Sequence, residues 1–109
     1  MNLKVDSMHS PDLPENGYPD DPFDFEAFVQ AWLSEKGKPG AEVFGFVVVS
    51  PSRLAKYESG RFIVNTLVLE EFDWTDIKTR LEKLLAHTAS AEDWDEVIDR
   101  LKGYLSYQH

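Results

Sequence analysis

The stretch from Ala41 to Leu54, AEVFGFVVVSPSRL, constrains the fold of this chain more than any other. It is the most apolar run in the sequence, and six of the seven residues from Val43 to Val49 are β-branched or aromatic. This composition predicts a strand that is buried on at least one face. Ser50-Pro51 resembles a helix N-cap followed by proline at the first helical position, so a short helix is predicted from Ser50 to Glu58.

Three other segments have strand patterns. Asn2–Met8 predicts a short strand, and Phe23–Leu33 alternates between apolar and mixed positions with the period of two that a strand requires. The polar turn Ser34–Gly40 has hairpin length, so the strands on either side of it are expected to pair antiparallel. Arg61–Leu69 is apolar on both faces, which is typical of a central strand, and its direction relative to the preceding strand stays open.

The C-terminal part of the sequence has helical periodicity. Asp73 is a suitable cap for a helix to about Thr88, and Ser90 for a second helix. The apolar stripe predicted for the second helix is Trp94, Val97, Ile98, Leu101, Tyr104 and Leu105. The expected fold is therefore α+β, with a mostly antiparallel sheet of about four strands and a C-terminal helical hairpin on one face, in a single domain of residues 1–109.

The charge balance bears on the possible partners. Twenty acidic and 11 basic residues give a formal net charge of −9. Such a surface repels nucleic acid and anionic membranes, and it favours a basic partner, although many soluble proteins are acidic for solubility alone. The absence of cysteine, of a signal-peptide pattern and of a membrane-length apolar run favours a soluble cytoplasmic protein.

No catalytic, cofactor-binding or metal-binding site is predicted from the residue patterns. His9 lies between Asp6 and Asp12, but this spacing matches no established ligand pattern. Glu70 and Glu71 precede the predicted helix cap, and a solvated strand end is the favoured interpretation of that cluster. An enzyme that uses Glu70, Glu71 and His9 remains as an alternative hypothesis.

Two surface features are candidates for partner contacts. The loop Leu13–Pro22 lies in the most acidic part of the chain. Trp32 lies on the less apolar face of its predicted strand, where it is either an anchor for a partner or buried beneath the N-terminal loop.

A set of short motifs, in a fixed order and covering nearly the whole chain, resembles the immunity protein 8 family of bacterial polymorphic toxin systems. The motifs are Ser10-Pro11-Asp12, Asp21-Pro22, Gly37-Lys38, Glu42-x-Phe44-x-Phe46-x-Val48-x-Ser50-Pro51-x-x-Leu54, Gly60-Arg61, Phe72-Asp73 with Ile77, Asp93-Trp94-x-Glu96 and Leu101-x-x-Tyr104.

This resemblance implies a protein that binds the toxic domain of a secreted effector and blocks it by stoichiometric occlusion. Because such toxins are commonly nucleases, a basic partner is expected. No direct contact with nucleic acid or a membrane is expected, and a monomer is favoured while the oligomeric state stays open. The alternative is a small acidic adaptor or regulatory module for another basic partner. The candidate contact residues are Asp12, Glu15, Asp20 and Asp21 in the acidic loop, Trp32, Glu70 and Glu71 before the first long helix, and Asp95, Glu96 and Asp99 on the last helix.

Overall fold

A computed structural model describes residues 1–108 of the chain and confirms the α+β class. His109 lies outside the described residues. The elements in chain order are β1 (Leu3–His9), β2 (Glu26–Glu35), β3 (Glu42–Val49), α1 (Pro51–Leu54), β4 (Thr66–Val68), α2 (Trp74–Leu85), a 3-10 helix (Ala86–Thr88), α3 (Trp94–Leu101) and β5 (Ser106–Gln108).

The five strands form one sheet that is antiparallel except at β4. β2 lies between β1 and β3, and the β2–β3 pair is the predicted hairpin. The other edge of β3 is shared: β4 runs parallel to Val47–Val49, and β5 runs antiparallel to Val43–Gly45. This settles the direction of the strand after α1, and it adds one strand to the predicted four.

The core lies between one face of the sheet and the pair α2 and α3. Alternate residues of β2, from Ala27 to Leu33, are buried on this face, as the period of two predicts. They meet Phe44, Phe46 and Val48 of β3, and the helices add Ile77, Leu81, Val97 and Leu101. The opposite face, here called the open face, carries Phe28, Trp32, Val43 and Val47, which are all partly exposed.

Several predicted boundaries were wrong. α1 ends at Leu54 and not at Glu58, and β2 runs from Glu26 to Glu35 and not from Phe23 to Leu33. β4 begins at Thr66 instead of Arg61, because the chain turns at Asn65, whose φ of 52° lies in the left-handed region. Asp93, not Ser90, caps α3, and its side chain accepts a hydrogen bond from the backbone N–H of Glu96 at 2.9 Å. α3 ends at Leu101 because Gly103 has a φ of 89°, so Tyr104 and Leu105 are not part of the helix.

Gly45 of β3 is required where the ring of Phe28 lies across the open face. A Cβ atom at position 45 would lie 2.4 Å from Cζ of Phe28. We therefore expect Gly45→Ala to lower the free energy of unfolding by about 1–2 kcal/mol, measured by urea denaturation, since the ring must be displaced. In a Phe28→Ala background the same substitution should cost nothing, because alanine suits a strand better than glycine. An equal cost in both backgrounds would rule out this contact as the reason for glycine.

Candidate functional site

An acidic depression lies at the end of the sheet where β2 begins and β3 ends. Leu13, Pro14, Pro19 and Phe25 form its apolar part. Its charged lining residues are Asp12, Asp20, Asp21, Asp24, Glu26 and Arg53. Three of the four predicted acidic-loop residues are therefore brought together there, and Glu15 lies on the loop outside the lining.

Two carboxylates of the depression also hold the backbone in place. Asp12 accepts a hydrogen bond from the backbone N–H of Phe28 at 2.7 Å, beyond the point where β1 stops pairing with β2. Asp21 accepts one from the backbone N–H of Phe23 at 2.9 Å, which is an Asx turn. The loop therefore presents its charges from a defined backbone conformation.

Asp24 is engaged within the protein itself. Its Oδ1 accepts hydrogen bonds from the Ser52 hydroxyl at 2.7 Å and from Nε of Arg53 at 3.1 Å. The bond from Ser52 is the largest influence on the pKa of Asp24 and lowers it; partial desolvation opposes this shift, and Arg53 adds to it. Arg53 is thereby directed onto Asp24, which leaves Asp20 and Asp21 without a basic partner among residues 1–108, although Asp21 keeps its bond from the Phe23 N–H.

Asp20 and Glu15 are exposed, and within the described part of the chain their side chains make no hydrogen bond or ion pair. A substitution at either residue should therefore change the surface charge without removing an internal contact. This property makes Asp20 the best position for testing the electrostatic role of the depression.

Glu70 and Glu71 lie beside the acidic loop. The backbone N–H of Phe72 donates a hydrogen bond to the carbonyl of Pro22 at 2.8 Å, which fixes the two segments together. The indole N–H of Trp74 donates to the carbonyl of Gly17 at 2.7 Å. Two of the three predicted acidic patches thus belong to the same end of the molecule.

Asp95, in the first turn of α3, lies at the opposite end of the sheet. Asp95 is close enough to Tyr107 to help raise the pKa of that phenol, which the hydrogen bond to Glu42 raises most. Glu42 begins β3, whereas the acidic depression lies where β3 ends, so the length of an eight-residue strand, roughly 23 Å, separates the two regions. Glu96 and Asp99 are also paired internally, with Arg100 and Lys102.

Trp32 lies on the open face, and its side chain is partly exposed. Its cross-strand neighbours are Ser7 on β1 and Val43 on β3. The N-terminal loop packs elsewhere, with the ring of Tyr18 6.2 Å from that of Phe72. Of the two interpretations of Trp32, its position therefore favours a surface that a partner can reach.

A cleft that was not predicted adjoins the acidic depression, and it is called the apolar cleft here for its five apolar lining residues, although Tyr57, Arg61 and Thr66 also line it. Phe62, Ile63 and Val64 bound it on one side, and Phe28 and Val47 of the open face on the other. Asp12 and Glu26 line both the cleft and the depression, so the two form a continuous surface. The sequence pattern placed Arg61–Val64 in a buried strand, but the left-handed turn at Asn65 takes these residues out of the sheet. Asparagine tolerates this conformation well, so it was the available signal.

The residues of the enzyme hypothesis do not meet. Glu70 and Glu71 follow β4, while His9 ends β1, and β2 and β3 lie between these strands. Three strand spacings amount to roughly 14 Å. Among residues 1–108, no three histidine, aspartate or glutamate side chains are placed to hold a metal ion together.

None of the helices that the structure describes is both long enough and apolar enough to cross a membrane.

In comparisons with known proteins, the model of the family described as immunity protein 8 matches residues 3–109, essentially the whole chain. No curated protein and no solved structure matches the chain significantly.

Proposed function

The chain belongs to the immunity protein 8 family, and we propose that it binds the toxic domain of a cognate secreted effector and neutralises it by stoichiometric occlusion. The observation that carries this proposal is the family match over residues 3–109. Membership implies an immunity protein of a toxin system. The proposed role is inhibition by binding, without catalysis. The proposal also covers the type of toxin and the surface of this chain that contacts it.

We propose a basic toxin domain, and a nuclease in particular. A nuclease must attract phosphates, so its cleft is expected to be positively charged. The net charge of −9 and the concentration of carboxylates in the acidic depression supply the complementary surface. Opposite charges of this kind raise the rate of association and disfavour wrong partners more than they raise affinity.

The end of the sheet that holds the acidic depression is the better contact surface of the two ends. There, Asp20 and Asp21 are exposed, Glu70 and Glu71 lie on a segment fixed to the same loop, and the apolar cleft adjoins them. An apolar area beside a charged one is typical of the core and rim of protein interfaces. The acids of α3 are less suitable because two of the three are held by basic neighbours.

The proposed inhibitor acts as a monomer in the cytoplasm of the cell that produces the toxin. Neutralisation requires one immunity protein per toxin domain, and no bond is made or broken. Loss of toxicity should therefore follow the occupancy of the complex.

Co-expression tests this function. The toxin domain encoded beside this chain is induced in cells that carry the chain, an empty vector, or the chain paired with an unrelated toxin domain. We expect survival only with the cognate pair, and a 1:1 stoichiometry in isothermal titration calorimetry of the purified proteins. Survival no better than with the empty vector would refute neutralisation of that toxin.

A further inference from the structure

Phe62, Ile63 and Val64 form an unusual surface segment, here called the 62–64 segment. Their exposed fractions are 94%, 46% and 64%. Nowhere else on the described surface are three consecutive large apolar residues exposed. Single exposed apolar side chains are common in soluble proteins, but a run of three is unfavourable on a surface unless it has a function.

The backbone of the 62–64 segment is also without partners. In the part of the chain that the structure describes, none of its three N–H groups donates a hydrogen bond, and only the Val64 carbonyl accepts one, from Thr66. These three residue types strongly prefer strands, where such groups are paired. The segment therefore has the side chains of a strand without a neighbouring strand.

Asn65 holds the segment away from the protein's own sheet. Its backbone N–H donates to the carbonyl of Gly103 at 2.9 Å, and its carbonyl accepts from the N–H of Val47 at 2.8 Å. With a φ of 52°, it ends the pairing of β4 with β3 on its N-terminal side. The hydrogen bonds of the Asn65 N–H and carbonyl thus prevent the 62–64 segment from pairing with β3.

The surroundings of the segment indicate what it can bind. The apolar cleft beneath it exposes Phe28 and Val47, so a strand laid there can place every second side chain against an apolar surface. Asp12 and Glu26 line the same cleft and continue into the acidic depression. Arg61 also lines the cleft, with its guanidinium carbon 4.1 Å from the centroid of the Tyr57 ring, so basic side chains of a bound segment are expected near Asp12 and the depression and not beside Arg61. This arrangement suits an extended segment with alternate apolar side chains and with basic residues toward the depression.

We propose that the 62–64 segment binds the cognate toxin by strand addition, pairing its free backbone groups with an extended basic segment of the toxin. In this mode the main-chain hydrogen bonds supply affinity, and the side-chain contacts in the cleft supply specificity. The proposal deepens the proposed function and rests on it, since it names the surface and the form of the toxin segment.

Hydrogen–deuterium exchange on the complex of the unmodified chain with the toxin domain encoded beside it tests the pairing directly. In the free protein, the amides of residues 62–64 should exchange quickly, because they are exposed and unpaired. In the complex, at least one should exchange at least tenfold more slowly, while the amides of the exposed turn Gly37–Gly40 should be unchanged. A complex in which all three amides exchange as fast as in the free protein would overturn the proposal.

Proline variants separate backbone pairing from simple burial. Successive N–H groups of a strand point in opposite directions, so only one of Ile63→Pro and Val64→Pro should remove a bond to the added strand. That variant should bind the toxin at least tenfold more weakly than its alanine counterpart at the same position. Equal binding of both proline variants and their alanine counterparts would also overturn the proposal.

Tyr104→Ala is the matched control for the side chains. Tyr104 is likewise an exposed aromatic residue, but it lines a pocket on the helix side of the sheet with Ile77 and Leu81. Phe62→Ala should weaken binding at least tenfold, and Tyr104→Ala less than twofold. If the unmodified chain fails to bind the toxin, the proposed function fails; if it binds and these variants bind equally well, only the strand-addition proposal fails.

Discussion

Replacing Ser50 with alanine is expected to lower the free energy of unfolding by about 2–3 kcal/mol, because one buried hydroxyl serves several backbone groups. Ser50 is fully buried. Its Oγ accepts hydrogen bonds from the N–H of Phe25 at 3.0 Å and of Arg53 at 3.4 Å, and lies 3.3 Å from the Phe25 carbonyl, to which it can donate. Without the hydroxyl, the start of β2 and the first turn of α1 lose their common partner.

Ser52→Ala is the matched control. Ser52 is exposed, and its hydroxyl donates to Asp24 at 2.7 Å, with the Phe23 carbonyl a longer alternative acceptor at 3.3 Å. Its Oγ also lies 3.0 Å from that of Ser50, but Ser50 keeps its bonds to the N–H groups of Phe25 and Arg53 when Ser52 is removed, and water can replace the Ser52 hydroxyl at the surface. Its loss should cost less than about 1 kcal/mol. Chemical denaturation followed by circular dichroism gives both free energies, and for a chain of this size the Ser50 variant should melt about 10 °C lower. Equal losses in the two variants would show that Ser50 has no special structural role.

Reversing the charges of Asp20 and Asp21 to lysine should lower the association rate with the toxin about tenfold at low salt. The double variant changes the local charge by four units but also removes the bond from the Phe23 N–H to Asp21, so Asp20→Lys alone, which breaks no hydrogen bond or ion pair among the described residues, should show the same effect at smaller size. The dissociation rate should change much less, and the association rate should depend less on salt, because the attraction that salt screens has been removed. Stopped-flow or surface plasmon resonance measurements at several salt concentrations provide these rates.

A control with the same change in net charge distinguishes the two ends of the molecule. Asp95→Lys with Asp99→Lys also changes the charge by four units, but on α3, where Asp95 lies near Tyr107 at the other end of β3 from the depression. This variant should associate at close to the unmodified rate at physiological salt, where the Debye length is about 8 Å. A larger loss from the α3 variant than from the loop variant would assign the toxin contact to α3. Unchanged circular dichroism spectra establish that both variants fold.

Local chemistry was enough to predict much of the fold. The alternation in β2 identified the buried face because a strand has only two faces, and the polar turn before Gly40 set the pairing of β2 with β3. Ser50-Pro51 marked the start of α1 because its capping bond is formed within one turn. Each of these features depends on residues that are close in sequence.

The features that could not be predicted depend on distant residues. β5 pairs with the part of the β3 edge that β4 leaves unpaired. The local pattern of Ser106–Gln108 does not indicate that this part of the edge is available. The length of β4 is limited by the contacts that Asn65 makes with Val47 and Gly103. A strand pattern indicates what a segment prefers, but not whether a neighbour is available.

One part of the candidate site could likewise be predicted from local sequence, and the other part could not. The acidic loop was recognisable because charge density is a property of sequence, and the structure places Asp12, Asp20 and Asp21 in one depression. The apolar cleft was not recognisable, since exposed and buried apolar runs have the same composition. Its identification required knowing that Phe62 lies outside the sheet.

The division of one edge of β3 between β4 and β5 has a consequence for the order of folding. β4 returns to β3 after a short connection through α1, whereas β5 must close a loop that includes α2 and α3. The hydrogen bond between Tyr107 and Glu42 joins residues that are 65 positions apart. Closing a loop of that length is entropically costly, so the β3–β4 pair should form first and β5 should dock late. The part of this edge that pairs with β5, from Val43 to Gly45, is then the last part of the sheet to form during folding. It is also the first part to open when the native state fluctuates.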